Sequence, residues 1–274
     1  MVPETTRREW RKHLGHIEPI YQCECDLYNL AKTLNPGKNK HFKYTLVKLF
    51  VDYMLYSIDE TNRMIVMSLE SGAYSVAESL ARTSSEYSSN LIYVIEGDSN
   101  LRAKSLLKDF YNKSKINAEK WLEYAESTVN EDEIYAAKVK VAMVNKMMDV
   151  DFLHASKWPG SQAKFKAINL EHFYHHTFAP ASNSTHSLSE DIYQLFLRER
   201  MVIDNKGEVI DAYLEEKASF AVYLAATSVG LFAEAIARCF IKSKQPEVLS
   251  DIEKIVAPIN KLLAEHQAVV SEHL

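Results

Sequence analysis

Residues that interrupt regular structure are scarce in this chain, which has seven glycines and seven prolines among 274 residues. So few breakers argue against a sandwich, a barrel or a glycine-rich nucleotide-binding fold. Leucine, alanine, glutamate, lysine and methionine, which favour helices, are abundant instead. Apolar residues recur every three or four positions over long segments, the spacing of amphipathic helices. We therefore predict an all-α fold, a single bundle of long antiparallel helices.

Turn signals give the boundaries of these helices, and one segment is predicted to be non-helical. MVIDNKGEVI (201–210) predicts a short hairpin or an extended loop, because β-branched residues flank NKG. The predicted domain is a single one over 1–274, with 1–40 as an N-terminal helical extension. Helices are predicted at 4–34 (interrupted near Pro19), 41–70, 73–96, 99–128, 132–156, 163–178, 185–199, 211–242 and 246–271.

Charge, cysteine content and hydropathy limit the function classes. The formal net charge of -5 provides no global basic surface for nucleic acid, although a local basic patch stays open. Three cysteines, an odd number, do not suggest a disulfide framework and fit a reducing cytosol. The start MVPETTRREW has no apolar signal-peptide core, and no stretch reaches 18 uninterrupted apolar residues. We expect a cytoplasmic protein with no membrane span and no cofactor.

The 23 lysines are unevenly distributed. None falls between Lys48 and Lys104, and none between Lys166 and Lys206. Lysine is rarely buried because its ammonium group is strongly hydrated. The two lysine-free stretches therefore predict the central helices, and segments 99–166 and 211–261 are predicted to carry the solvated faces.

A polar strip follows the predicted helix 73–96, with Glu78, Arg82, Glu86 and Asn90 at successive spacings of four. One interpretation is a solvated face with weak Glu–Arg pairing. The other is a buried polar network, which the missing lysines and the many small serines favour. A buried Arg82 would need a carboxylate partner, and Glu86 is the candidate one turn away.

Two stretches that include this strip resemble a known group of proteins. LESGAYSVAESLARTSSEYSSNLIYVIEGD (69–98) contains Arg-x-x-x-Glu on a helix, and FAPASNSTH (178–186) contains Ser-x-x-x-His four residues after an aromatic residue. These marks are similar to those of domain-of-unknown-function family 5677, a group of bacterial all-helical proteins. Phe178 stands where a tyrosine is more usual in that family.

The resemblance covers about 45–200 and implies an all-helical core with a polar site. Carried over residue by residue, it implies a site made of Arg82, Glu86, Ser182 and His186. It implies no reaction, since the family has no settled activity.

Metal binding and serine catalysis are two chemical alternatives near this segment. His172 and His176, one helical turn apart, are weak metal candidates with His186 as a third ligand. No cysteine pair or Glu-x-x-His motif supports them, so no metal is predicted. Ser182 with His186 and Glu86 has the residue types of a triad, but it lacks a nucleophile elbow and an oxyanion loop.

A metal-independent nuclease or nucleotide-acting enzyme of the defence or toxin type is the remaining alternative. The spacing Arg-x(4–6)-His occurs at the N-terminus, where a solvated basic helix explains it equally well. The matches are Arg7 or Arg8 with His13, and Arg11 with His16. Arg82 and His186 meeting in space would also supply a cation and an acid–base group.

We predict a binding or interaction module with a polar Arg/Glu/Ser/His site. Its partner would be a protein or a small anionic ligand, and self-association stays open.

Overall fold

A computed structural model describes residues 3–146, 152, 154–179, 181, 189–200 and 206–271 of this chain. Helices form most of these residues, and no strand occurs among them. The helices are α1 (Glu4–His13), α2 (Ile17–Thr33), α3 (Thr45–Glu70), α4 (Tyr74–Glu96), α5 (Ser99–Thr128), α6 (Glu131–Lys146), α7 (Ser161–Ala167), α8 (Glu171–Phe173), α9 (Ser189–Arg200), α10 (Lys206–Lys242) and α11 (Leu249–Ser271), with 3-10 turns at Leu14–His16 and Pro246–Val248 and a π-helical turn at Tyr174–Phe178. The prediction of an all-α fold is confirmed.

The predicted helix 163–178 is two helices. Asn169 has a φ of 59°, in the left-handed region that often ends a helix. The amide of Leu170 donates to the carbonyl of Phe165 across this turn, which caps the end of α7. The chain then re-enters helix at α8. Asparagine tolerates this conformation better than most residues, and its presence was the available signal.

The hairpin or extended loop predicted near 201–210 is wrong over Lys206–Ile210, which form the first turn and a half of α10. Residues 201–205 lie outside the described ranges. Gly207 lies in the first helical turn, where amides have no intrahelical partner in any case, so a glycine there does not end the helix.

The fold divides into two compact units, Met1–Glu96 with Ser161–Leu274 (unit 1) and Gly97–Gly160 (unit 2). In unit 1, α10 packs against α4, α3, α1, α2 and α11, and α4 also packs extensively against α3. In unit 2, α5 and α6 pack against each other. That the whole chain folds as one domain stays a prediction.

Burial corrects the prediction drawn from the lysine distribution. Segment 211–261 was predicted to be solvated, yet α10 supplies much of the core of unit 1. The same criterion contained the answer, because no lysine falls between Lys217 and Lys242. The prediction that the second lysine-free stretch forms central helices is also wrong for α9, which exposes apolar side chains. These are Ile192, Tyr193, Leu195, Phe196 and Leu197.

Helix α10 is long and apolar enough to cross a membrane when only length and composition are considered. The apolar window of this helix lies 72% buried within the fold. Its apolar character is therefore matched by packing against the neighbouring helices of unit 1.

Three histidines meet where α1, α10 and α11 pack. The rings of His13 and His266 stack with centroids 3.6 Å apart, and His13 Nδ1 lies 2.7 Å from the hydroxyl of Ser219. His16 Nδ1 lies 3.4 Å from His266 Nε2, and His16 Nε2 lies 3.2 Å from a carboxylate oxygen of Glu265. Burial, with the other two histidines beside it, lowers the pKa of His266 to about 3.

This cluster makes unit 1 acid-sensitive. In the unfolded chain His266 takes up a proton near pH 6.5, whereas the folded protein keeps it neutral down to about pH 3. Its contribution to stability is therefore present above pH 6.5 and is lost as the pH falls. We expect a loss of roughly 2 kcal/mol from this group between pH 7 and pH 5. Urea unfolding at both values should show a steeper pH dependence for the wild type than for His266→Phe, and equal slopes would contradict this account.

Ser88 tests how tightly α4 is packed. Its hydroxyl is buried and has no hydrogen-bond partner among the described residues. Ser88→Ala should raise the free energy of unfolding by about 1 kcal/mol, because it removes an unsatisfied polar group. Ser88→Leu should lower it by about 1–3 kcal/mol through overpacking. Denaturant unfolding of both variants measures this, and a destabilised alanine variant would show that the hydroxyl has a partner.

Candidate functional site

The polar strip of α4 lies against other elements of unit 1 rather than in solvent. Glu78 is buried, whereas Arg82, Glu86 and Asn90 are half-buried. Three of the serines around them bond within their own helix, so these hydroxyls can be buried without partners from elsewhere. Ser79 donates to the carbonyl of Ser75, Ser85 to that of Ala81, and Ser89 to that of Glu86.

At its N-terminal end, the strip forms an ion pair with α10. The carboxylate of Glu78 is 1% exposed and lies 3.4 Å from the ammonium nitrogen of Lys217. The two residues are 139 positions apart in the sequence. Because an unpaired charge is costly in such a place, the pair fixes how α4 and α10 face each other.

At its C-terminal end, the strip contacts a buried lysine of α7. Lys164 is 2% exposed, and its ammonium group donates to the side-chain oxygen of Asn90. The same nitrogen lies 3.6 Å from Glu86 Oε1, which also accepts from the hydroxyl of Ser161 at 3.5 Å. Sequence reasoning missed Lys164, because it treated lysine as a mark of solvent-facing residues.

Between these pairs, Arg82 packs on an aromatic ring. The centre of its guanidinium group lies 4.5 Å from the ring centroid of Phe178. Its Nε is buried and has no hydrogen-bond partner among the described residues. The expected Arg82–Glu86 pair is therefore wrong within this part of the chain: Glu86 turns to Lys164, and Arg82 makes no salt bridge there.

The proposed meeting of Arg82 with Ser182 and His186 stays a prediction, because both residues lie outside the described ranges. The structure brings Arg82 to Phe178, four positions before Ser182. Phe178 occupies the position at which the resemblance expects a tyrosine. Its ring face makes the contact with Arg82, and a phenol hydroxyl is not needed for such a contact.

The structure also describes the residues of the other two histidine-based hypotheses. His172 and His176 are exposed, and the described residues contain no group of three metal-ligating side chains placed to hold an ion. Near the N-terminus, Arg7 and Arg11 both donate to Glu215. His13 is buried against Ser219, whereas Arg8, Arg11 and Lys12 are exposed, so the solvated basic surface that the sequence suggested is one face of this helix.

Two carboxylic acids between α2 and α3 form a second polar cluster that sequence reasoning missed. Glu24 is fully buried, and Asp59, almost as buried, accepts from Arg63 at 2.6 Å. Burial, with Asp59 beside it, raises the pKa of Glu24 above its ordinary value. The signal was present in the sequence: Glu24 falls on the apolar stripe formed by Ile20, Leu27 and Ala31.

A cavity of about 470 Å³ also opens between α2 and α3. Its lining includes three tyrosines together with one acidic and one basic residue. They are Tyr28, Tyr53, Tyr56, Asp52 and Lys32. The ammonium group of Lys32 lies 4.2 Å from the centroid of the Tyr28 ring, so the structure already places a cation on one aromatic wall.

The two kinds of contact along α4 should differ in their effect on stability. Glu86→Gln should lower the free energy of unfolding by about 1–3 kcal/mol, because the buried ammonium of Lys164 loses a carboxylate. Arg82→Gln should lower it by less than about 1 kcal/mol, since it removes a cation–π contact and a buried donor together. Denaturant unfolding compares them, with Glu119→Gln, from an exposed pair with Lys115, as a control near zero. A larger loss for Arg82→Gln would show that Arg82 has a carboxylate partner.

Comparison with known proteins identifies this arrangement only at the level of a family. The model of the Family of unknown function (DUF5677) matches residues 53–203, more than half of the chain. The match includes α4 with its polar strip, all of unit 2 and the segment with Ser182 and His186. No curated protein and no solved structure matches the chain. The chain belongs to the DUF5677 family.

Proposed function

We propose that this protein is a binding module that receives an anionic group at Arg82. The single observation that carries the proposal is the state of the guanidinium group. It sits in a helix packed among other elements, yet it has no carboxylate partner among the described residues. A buried N–H without an acceptor costs about 1–3 kcal/mol, which an anion bound there would offset.

The neighbouring charges support a site specific to Arg82. Each carboxylate of the α4 strip has a lysine of its own, Lys217 for Glu78 and Lys164 for Glu86. These carboxylates already have cationic partners. The guanidinium group of Arg82 is therefore the charged group of the strip that can bind a ligand. Arginine presents donors in a planar fork that matches a carboxylate or a phosphate.

Phe178 supports the proposal by restricting the side chain of Arg82. The guanidinium centre lies 4.5 Å from the ring centroid, and this cation–π contact holds the group without placing an anion on it. An arginine held in this way loses less side-chain entropy when an anion binds. His186, placed on the same segment by sequence, would add a second donor to the ligand.

A nuclease remains the alternative function, and no observation among the described residues favours it. Its N-terminal candidates, Arg7 and Arg11, are neutralised by Glu215, and His13 is buried. An acid–base role for His186 would require it to approach Arg82 with a labile proton accessible to substrate. Cleavage of RNA is therefore one of the outcomes that the test separates.

Titration with simple anions tests the proposal directly. Isothermal titration calorimetry with inorganic phosphate and with acetate, at constant ionic strength set by chloride, should give saturable binding of at least one of them. Arg82→Gln should weaken that binding by about tenfold or more, the loss expected for charge-assisted hydrogen bonds. Arg82→Lys should recover only part of it, since an ammonium lacks the fork.

Arg8→Gln is the matched control, because Arg8 is an exposed arginine on α1. It removes the same charge far along the sequence from α4 and should bind like the wild type. Absence of saturable binding, or equal binding by Arg82→Gln, would overturn the proposal. RNA cleavage by the wild type that disappears in His186→Ala would replace it with the nuclease.

A further inference from the structure

The helical hairpin of unit 2 has a thin core. Helices α5 and α6 pack against each other, joined by Val129 and Asn130. The buried side chains along their mutual seam are small: Ala118, Ala125, Ala137 and Val144. Helices gain most of their stability from burying a wide apolar face against other elements. Three alanines and a valine are a small fully buried set for two helices of this length, and the apolar residues beside them, such as Leu122, Ile134 and Val141, are only half-buried.

Large apolar side chains on the same hairpin are exposed instead. Trp121 is 39% exposed and Tyr135 is 72% exposed. The exposed large apolar residues of α5, the turn and α6 are Leu101, Phe110, Ile116, Trp121, Tyr124, Val129, Tyr135, Val139 and Met143. Tyr135, Val139 and Met143 recur at spacings of four and so form one stripe along α6. Aromatic residues and methionine are the types enriched where proteins associate.

Charge is also sorted along the hairpin. Near the Val129 turn the residues are mainly acidic, and towards the open end of α5 they are mainly basic. The acidic group is Glu119, Glu123, Glu126, Glu131, Asp132 and Glu133, with Lys120 among them, and the basic group is Lys113, Lys115, Lys138, Lys140 and Lys146, with Arg102, Lys104, Lys108 and Asp109 further along α5. Because α5 and α6 run antiparallel, the hairpin has one negative end and one positive end.

The hairpin itself does not explain this sorting. Acidic residues at the start of α6 complement the helix dipole, but Glu123 and Glu126 lie near the C-terminal end of α5, where acidic groups are unfavourable. No basic residue occupies the last turn of α5. A positive surface supplied from outside would compensate these groups.

We propose that the hairpin is a self-association surface whose occupant is the hairpin of a second copy of this chain. In a two-fold arrangement with antiparallel hairpins, the acidic end of one copy lies on the basic end of the other, twice over. A parallel arrangement would place like charges together. The proposal is independent of anion binding at Arg82.

Trp121 marks the centre of this interface. Helix α6 has 16 residues, so it can accompany only about the last 16 residues of α5. Trp121 lies near the middle of that part. The two-fold axis of the proposed dimer therefore passes near Trp121, and the charged groups flank it. An apolar centre with a charged rim is the usual arrangement of a protein interface.

The oligomeric state of the full chain tests the proposal. Sedimentation velocity and light scattering over a concentration series should give twice the 31.4 kDa mass of one chain. Trp121→Glu should shift the species to the monomer mass and leave the melting curve of the monomer cooperative. Tyr53→Glu is the matched control, since Tyr53 is an exposed aromatic residue of α3 outside the hairpin, and it should stay dimeric.

Charge reversal distinguishes antiparallel pairing from nonspecific apolar association. One variant carries Glu123→Lys with Glu126→Lys, and a second carries Lys113→Glu with Lys115→Glu. Each alone has one hairpin end with most of its net charge removed and should dimerise more weakly than the wild type. Mixed together they should form a heterodimer in preference to either homodimer, because the unaltered acidic end of one chain then meets the unaltered basic end of the other.

A monomeric wild type at all concentrations would overturn the proposal. So would a dimer that survives Trp121→Glu, since its interface would lie elsewhere. A dimer lost in Trp121→Glu but unaffected by either charge-reversed pair would overturn the antiparallel arrangement. Raised salt should weaken the wild-type dimer, as screening reduces the attraction between its charged ends.

Discussion

The close approach of α4 to α10 is the constraint on which unit 1 depends. Both helices present small side chains to the core, and the separation of packed helices follows the size of the side chains between them. The buried small residues include Ala77, Ala81, Ser84, Ser85 and Ser88 on α4, and Ala221, Ala225, Ala226, Ser228 and Ala235 on α10. A serine is acceptable there when its hydroxyl bonds to its own helix, as that of Ser85 does.

This packing has a consequence for the polar side of α4. Because α4 is packed among other helices, water cannot solvate its charged side chains fully. Residues of other helices therefore have to pair with them. Lys217 and Lys164 do so for the carboxylates. A buried pair of this kind adds little net stability, because both ions lose hydration. Its effect is to fix which residues of α7 and α10 face α4, and this leaves Arg82 on Phe178 without a carboxylate.

The sequence predicted the elements well because their signals are local. Helix periods, breakers and the family motif placed α3, α4 and α5 within a few residues of their observed bounds. Partners could not be predicted in the same way. Glu86 has Arg82 one turn away, yet it pairs with Lys164 on another helix. That choice depends on how α7 docks, which no local pattern encodes.

Predicting burial from residue type alone was wrong at positions that determine how the helices pack. Lys164 is buried although lysine is the residue type least often buried, and α9 is exposed although it contains no lysine. Glu24 shows the opposite case, in which the position was informative. It is a polar residue on the apolar side of α2, and a helical wheel would have marked it as buried.

The family match and the packing of unit 1 do not share the same boundaries. The matched residues 53–203 begin inside α3 and end before α10. Yet α10 packs extensively against α4, and Lys217 on α10 neutralises the buried Glu78. Residues 53–203 alone would expose the part of α4 that α10 covers and leave Glu78 without this lysine. The family segment therefore contains the candidate site and the hairpin, but the core that positions Arg82 requires the C-terminal helices as well.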